Sequence, residues 1–225
     1  NWKAGGTPSI NTDGTITSVV SANQAAGFSV VSYAGNSTSG ATVGHGITSP
    51  DLVMIKCTST GSTNWIVYAA PLGDNNYLTL NLDNAQDTYS NWFSSNATTF
   101  TLGQTFGNAN TSGRDYIAYC FKSISGYSKV GSYIGKTAGV TIYTGFQPRF
   151  IMIKASQATY PENWAILDAV RGSGKCLNPN LSNAETDSAL NTFTTSATGF
   201  SFPNQNIADA MLNENGYEYT FLAIA

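Results

Sequence analysis

Apolar residues fall in short runs between polar, glycine-bearing stretches, and few of the runs have helical spacing. Residues 52–56 and 150–154 are continuous apolar runs of the length of strands buried on both faces. Residues 65–70, 77–82, 98–102 and 116–122 are aromatic and β-branched. They stop at turn clusters such as Gly61-Ser62, Gly73-Asp74-Asn75-Asn76 and Ser112-Gly113. Helix signals are thin: one short surface helix is expected at residues 184–193, with residues 84–92 as its counterpart. A short strand is expected at residues 15–20. Roughly seven or eight short strands per hundred residues, spaced by about 12, predict a β-sandwich with Greek-key or jelly-roll wiring.

The pattern then repeats. Pro50-Asp51-Leu52-Val53-Met54-Ile55-Lys56 lines up with Pro148-Arg149-Phe150-Ile151-Met152-Ile153-Lys154, and Asn64-Trp65 with Asn163-Trp164. Gly27-Phe28-Ser29-Val30 matches Gly126-Tyr127-Ser128-Lys129, and Ser32-Tyr33-Ala34-Gly35 matches Ser132-Tyr133-Ile134-Gly135. Asn110-Thr111-Ser112-Gly113-Arg114-Asp115-Tyr116 answers Asn213-Glu214-Asn215-Gly216-Tyr217-Glu218-Tyr219. The offsets run in order from 98 to 103. The expected fold is therefore all-β: two tandem jelly-roll or Greek-key-like sandwich units, 27–124 and 125–225, related by internal duplication. Trp65 and Trp164, and Met54 and Met152, should be matched core residues.

Residues 1–26 read as the end of a preceding repeat plus a connector, because Asn1-Trp2-Lys3 resembles Cys120-Phe121-Lys122. The chain is accordingly expected to be a piece of a longer array. Residues 1–26 are expected to pack against either the first unit's sheet edge or a neighbouring chain, the neighbouring chain being favoured, with Trp2 buried in the contact and both sandwiches able to fold without the segment.

Composition narrows the function. Charged residues are 10% of the chain, while Thr, Ser, Asn and Gly number 27, 24, 22 and 22 of 225. A net charge of −3 with ten scattered Lys and Arg argues against nucleic acid, which needs a clustered basic face. No apolar run approaches the ~18–20 residues of a membrane helix. Cys57, Cys120 and Cys176 contain no CxxC pair, so they read as buried thiols, with a Cys57–Cys120 bond open if their strands are neighbours. The four Asn-x-Ser/Thr sequons, at Asn36, Asn96, Asn110 and Asn180, are expected by chance in such a composition.

Candidate chemistry is sparse. The single histidine, His45 in Val43-Gly44-His45-Gly46, reads as a turn residue, since Tyr143-Thr144-Gly145-Phe146 stands in its place in the second unit. Arg171-Gly172-Ser173-Gly174 lacks the spacing of a nucleophile elbow. All four glutamates, Glu162, Glu185, Glu214 and Glu218, lie in the second unit; Glu185 with Asp187, and Glu214 with Glu218, are the pairs a glycosidase reading would use, and solvated acids are the plainer reading. Asp74-Asn75-Asn76 and Asn11-Thr12-Asp13-Gly14 are oxygen-rich turns without calcium-loop spacing. No catalytic residue, cofactor or metal is therefore expected. Trp92, Tyr89 and Tyr160, in polar segments, are the candidate exposed platforms for a glycan or partner, together with Trp2.

The stretch 27–36, Val43-Gly44-His45-Gly46, residues 50–56, 64–68 and 116–121, and Tyr143-Thr144-Gly145-Phe146-Gln147-Pro148-Arg149 resemble a repeated β-domain of uncharacterised function found in tail-fibre-like and other structural proteins of tailed bacteriophages. The resemblance implies a non-enzymatic virion protein, located in the virion or extracellularly. It implies self-association, with a homotrimer as the expectation, alongside other virion proteins and contact with a host surface glycan. A carbohydrate-binding module or a glycan depolymerase is the alternative.

Overall fold

The computed structural model describes residues 5–103, 109–203 and 210–225. The chain divides into two compact units: Asn1–Thr79 with Asp87–Ile124, and Leu80–Gln86 with Ser125–Ala225. Each is built almost wholly of antiparallel strands. The loop 80–86 thus counts with the second unit, although its neighbours in sequence belong to the first.

The first unit contains β1 (Ser9–Asn11), β2 (Ser18–Asn23), β3 (Phe28–Ala34), β4 (Ala41–Gly44), β5 (Leu52–Cys57), β6 (Ile66–Ala69), β7 (Asn76–Thr79), β8 (Asp87–Thr88), β9 (Phe93–Ser95), β10 (Thr99–Leu102) and β11 (Asp115–Phe121). They form a sheet of order β1-β2-β3-β11-β5-β6-β7-β8 and a second of order β4-β10-β9. The late strand β11 inserts between β3 and β5, a Greek-key arrangement. Alternate residues of the two sheets, among them Val31, Ile55, Tyr116, Val43 and Phe100, meet in one core.

The second unit contains β12 (Ser128–Ile134), β13 (Val140–Tyr143), β14 (Phe150–Gln157), β15 (Ala165–Asp168), β16 (Lys175–Cys176), β17 (Thr186–Asp187), β18 (Thr194–Ser196), β19 (Gly199–Phe202), the short helix α1 (Ala210–Asn213) and β20 (Glu218–Ile224). Its sheets run β12-β20-β14-β15 and β13-β19-β18, with a β16-β17 hairpin beside them. The order β12-β20-β14-β15 is that of β3-β11-β5-β6, and β13-β19-β18 is that of β4-β10-β9. Backbone bonds mark equivalent positions: Asp51 N donates to Phe121 O and Arg149 N to Ile224 O, each at 2.8 Å.

Several expectations need correcting. Of the two places expected for the segment, residues 5–26 take the first unit's sheet edge and not the favoured neighbouring chain. β1 and β2 extend the first unit's sheet beside β3, Ile16 bridges Val43, and Ile16 and Val20 are core residues. The hydroxyl-rich sequence suits this place, since Thr15 and Thr42 exchange backbone-to-hydroxyl bonds of 2.9 Å. Removing the segment would therefore open the first core. Asn1, Trp2 and Lys3 lie outside the described residues.

No helix forms at residues 84–92, and only a 3₁₀ turn (Ala189–Asn191) within 184–193. Their Asp, Asn and Thr side chains bond locally instead: Asp87 accepts from Thr88 N at 2.7 Å, and Asn191 donates to Thr186 at 3.1 Å. No disulfide joins Cys57 and Cys120. Their strands are neighbours, but Cys57 faces Tyr116 and Cys120 faces Val53, about 13 Å apart along the ladder. Trp164 and Met152 are buried as expected, whereas Trp65 and Met54 are only half-buried, with Trp65 lying against the ring of Tyr119. The motif match at Gly27 and Gly126 is one residue out of step with the ladders: Lys122 N donates to Gly27 O, and Ala225 N to Tyr127 O.

Candidate functional site

The residues that recur between the units converge on the same construction in each. Tyr33 and Tyr116 stack at 5.3 Å, and Tyr133 and Tyr219 at 4.8 Å. Tyr33 OH donates to Ala109 O and Tyr133 OH to Leu212 O, while the hydroxyls of Tyr116 and Tyr219 accept from Thr111 N and Glu214 N. A buried asparagine completes each clasp. Asn110 accepts from Asn36 N at 3.0 Å and donates to Thr38 O at 3.0 Å; Asn213 accepts from Lys136 N at 2.9 Å and donates to Lys136 O at 3.0 Å. A side-chain amide offers one acceptor and two donors, so it can replace a strand partner for a loop that has none. Gly35 and Gly135 sit where a Cβ would strike the carbonyls of Thr111 and Glu214. The most distinctive motif is thus engaged in holding two loops together, and the asparagine of the Asn110 sequon is buried within it.

The predicted aromatic contacts separate. Trp92 is fully buried, its indole N–H donating to Asn76 O at 3.1 Å and its ring packed on Phe93 and Tyr77. It is not an exposed platform: its polar neighbours in sequence are the turn that carries it inward. Tyr89 is half-buried against the same core. Tyr160 stands 69% exposed, in the other unit from Trp92 and Tyr89. Trp2 lies outside the described residues.

The acids and amides of the candidate turns are engaged close by. Glu185 pairs with Arg171 and Lys175, and Lys175 also meets Asp187 at 3.2 Å across the β16-β17 hairpin. Asn75 accepts from Asn91 N at 2.7 Å, and Asn76 donates to Leu72 O at 2.6 Å. Among the described residues no three of His, Cys, Asp and Glu converge as metal ligands. None of the described helices is long and apolar enough to cross a membrane.

His45 is a buried turn residue. Its Nδ1 accepts from Ile47 N at 3.3 Å, which leaves the proton on Nε2, 3.3 Å from Asn96 O. At the equivalent place Thr144 Oγ1 accepts from Phe146 N at 3.4 Å and faces Thr198 O at 3.4 Å. Burial holds His45 below its ordinary value of 6.5. Between the lowered value and 6.5 the unfolded chain binds more protons, so stability rises with pH there and is lost as pH falls below 6.5. His45→Thr should keep stability within about 1 kcal/mol at pH 7 and flatten this acid-side slope in urea titrations. A slope unchanged in the variant would assign it to other groups.

Lys154, a polar residue inside the apolar run of β14, is the group that the sequence pattern concealed. It is fully buried, with Nζ donating to Asp83 O at 3.1 Å and Ala155 O at 2.9 Å. Burial lowers its ammonium to about 8 against the raising influence of the Glu162 and Asp83 carboxylates. Gln86 N to Ser156 O and Glu162 N to Asp83 O complete the seating of loop 80–86. Its counterpart Lys56 is half-buried and bonds to Thr63 O.

The described surface carries shallow depressions. One of about 400 Å³ in the first unit is lined by small outward residues such as Thr17, Val19, Ser32 and Ala34. Another, of about 410 Å³ in the second unit, is lined by Gln147, Pro148, Arg149, Ala169, Val170 and Thr195. No curated protein and no solved structure matches the chain. A single family model takes in both units at once: the chain belongs, over residues 1–225, to the family described as a domain of unknown function, DUF7483.

Proposed function

We propose that the chain is a non-enzymatic structural protein of a virion, a tail-fibre or appendage component whose two β units are copies of one another. The observation that carries this reading is the destination of the repeated side chains. Tyr33, Tyr116 and Asn110, and Tyr133, Tyr219 and Asn213, bind backbone within their own unit. Side chains used in this way hold a β scaffold together rather than furnish a reacting centre. The shared strand order supports the duplication. The low charge and the hydroxyl- and amide-rich surface suit an extracellular rod. On this reading the partners are further copies, as a homotrimer, other virion proteins, and a glycan of the host surface.

Glycan contact is also favoured directly by the exposed ring of Tyr160, which has the flat apolar face that sugars stack on. A depolymerase using Glu185 and Asp187 is less favoured, because both carboxylates are tied to cations. Mass photometry of the purified chain should give three times 23.8 kDa, and antibody labelling of native particles should mark the appendage. A monomer together with measurable cleavage of a polysaccharide would overturn the proposal.

A further inference from the structure

We infer that the outer edge of β13 in the second unit is a docking site for an extended strand of another protein. The strand it fits carries a hydroxyl residue, an aliphatic residue, any residue and an acid, in that order. β13 pairs with β19 on one side only. Thr141 and Tyr143 are exposed along it, Tyr143 by 69%. Among the described residues no hydrogen bond reaches the outward N–H and C=O of Thr141. Lys129 lies across the end of the edge, its Nζ donating to Tyr143 O at 2.7 Å.

The first unit shows the same edge filled. β4 takes the register on β10 that β13 takes on β19, with Thr42 opposite Thr101 and Thr141 opposite Ser201. On the far side of β4, Ile16 N donates to Thr42 O, Thr42 N to Thr15 Oγ1 and Thr15 N to Thr42 Oγ1, each at 2.9 Å. Thr42 thus turns its backbone away from β10, and Thr141, the same residue in the same register, turns its own away from β19. Ile16 runs parallel to Val43 and is buried, and Ser18 Oγ donates to Gly44 O at 2.9 Å. Before the second unit the corresponding stretch of chain is β11, which is already paired between β3 and β5.

A strand added to a sheet edge gains main-chain hydrogen bonds, and its side chains decide which strand is taken. Thr141 offers a donor, an acceptor and a hydroxyl in the pattern that Thr42 uses. The hydroxyl residue of the incoming strand accepts from Thr141 N. The aliphatic residue donates to Thr141 O and covers the rim of the core, where Val140 is half-buried although its counterpart Ala41 is buried. The place of Ser18 differs in chemistry: Tyr143 O already accepts from Lys129, whose ammonium meets no carboxylate among the described residues. An acid three residues after the hydroxyl supplies that carboxylate. A Cβ at Gly44 would strike the Asn11 side chain, and Tyr143 stands at that position, so a turn like the one before Thr15 is excluded and only an extended strand fits. The site follows from the fold and is independent of the virion reading.

The test is a ¹H–¹⁵N NMR titration of the whole chain with a synthetic peptide of residues 14–22 that carries Ser18→Asp. The peptide should shift the amide signals of Thr141, Ile142 and Tyr143 and slow hydrogen exchange at Thr141. Methylating the peptide's isoleucine nitrogen, which leaves the protein untouched, should weaken binding about tenfold or more. Lys129→Gln should weaken the acidic peptide at least about threefold, toward the level of the peptide with serine, whereas Lys136→Gln should not. Thr141→Pro, which an exposed edge accommodates, should abolish the shifts with the rest of the spectrum in place. The inference is overturned if the peptide leaves these signals unmoved, if the methylated peptide binds as well, or if Lys129→Gln prefers the acidic peptide as strongly as the parent does. Shifts confined to β4 would also overturn it, since the peptide would then be replacing the first unit's own segment. So would self-association of the chain that Thr141→Pro abolishes, which would make a second copy the occupant.

Discussion

Replacing Gly131 by valine should destabilise the second unit by about 1–3 kcal/mol, and truncating Phe221 in the same molecule should recover part of that loss. Gly131 and Phe221 face one another across β12 and β20, as Val31 and Ala118 do across β3 and β11. A Cβ added at Gly131 would lie 2.8 Å from Phe221 Cζ, a contact no side chain tolerates without movement. The two pairs divide a similar volume differently: medium against small in one unit, none against large in the other. Phe221→Ala alone leaves a cavity beside Phe200 and Tyr133 and should cost about 3–5 kcal/mol. The double variant carries the first unit's pair, so its cost should fall short of the sum by at least about 1 kcal/mol. Hydrogen exchange of the β20 amides in a urea series of the four proteins measures all three quantities. Additive losses would show that the ring of Phe221 does not occupy the space of the missing side chain.

That pair also marks where the sequence was legible and where it was not. The strands were visible because aromatic and β-branched runs end at glycine and asparagine turns, and β5, β11 and β14 lie close to where the pattern placed them. The matched motifs were visible because Tyr33 and Tyr133, or Asn110 and Asn213, have no substitutes for the bonds they make. A compensated change such as Val31 and Ala118 against Gly131 and Phe221 leaves no such trace, which is why the motif alignment slipped by a residue there. Burial was the harder quantity. Trp92 sits among polar neighbours and looked exposed, yet those neighbours turn the chain so that its ring enters the core. Residues 5–26 looked like a linker because threonine and serine dominate both linkers and hydroxyl-bonded edge strands. Lys154 was hidden differently: it occupies a strand motif shared with the first unit, where Lys56 stands, and only the surroundings distinguish the two.

Lys154 should make the second unit more stable as pH rises from 7 to 9.5, by about 2 kcal/mol, whereas most surface ion pairs would leave stability flat. The ammonium is held at about 8 in the fold against an ordinary 10.5, because burial disfavours its charge. Between those two values the unfolded chain carries more bound protons than the folded one, so raising the pH releases the cost of burying the charge. Below pH 8 the folded group is charged and that cost is fully present; above 10.5 both states are neutral and the gain is complete. Stopping at 9.5 keeps most tyrosines, whose ordinary value is 10.0, un-ionised, and the comparison with the lysine variant cancels the remainder. Lys154→Met should remove the slope, because methionine fills a similar volume and carries no proton. It should also be no less stable than the parent at pH 7, since Asp83 O keeps its bond from Glu162 N. Lys56→Met, at the half-buried counterpart, should leave the slope intact. Urea midpoints at intervals of half a pH unit, with hydrogen exchange of the amides in loop 80–86 read alongside, separate these outcomes. Burial of Cys120, whose thiol is pushed up to about 12, lowers stability over the top of the same window, so the decisive quantity is the difference between parent and Lys154→Met. A difference that does not change between pH 7 and 9.5 would mean that the lysine keeps its charge in the fold, stabilised by the carboxylates of Asp83 and Glu162 as strongly as burial disfavours it.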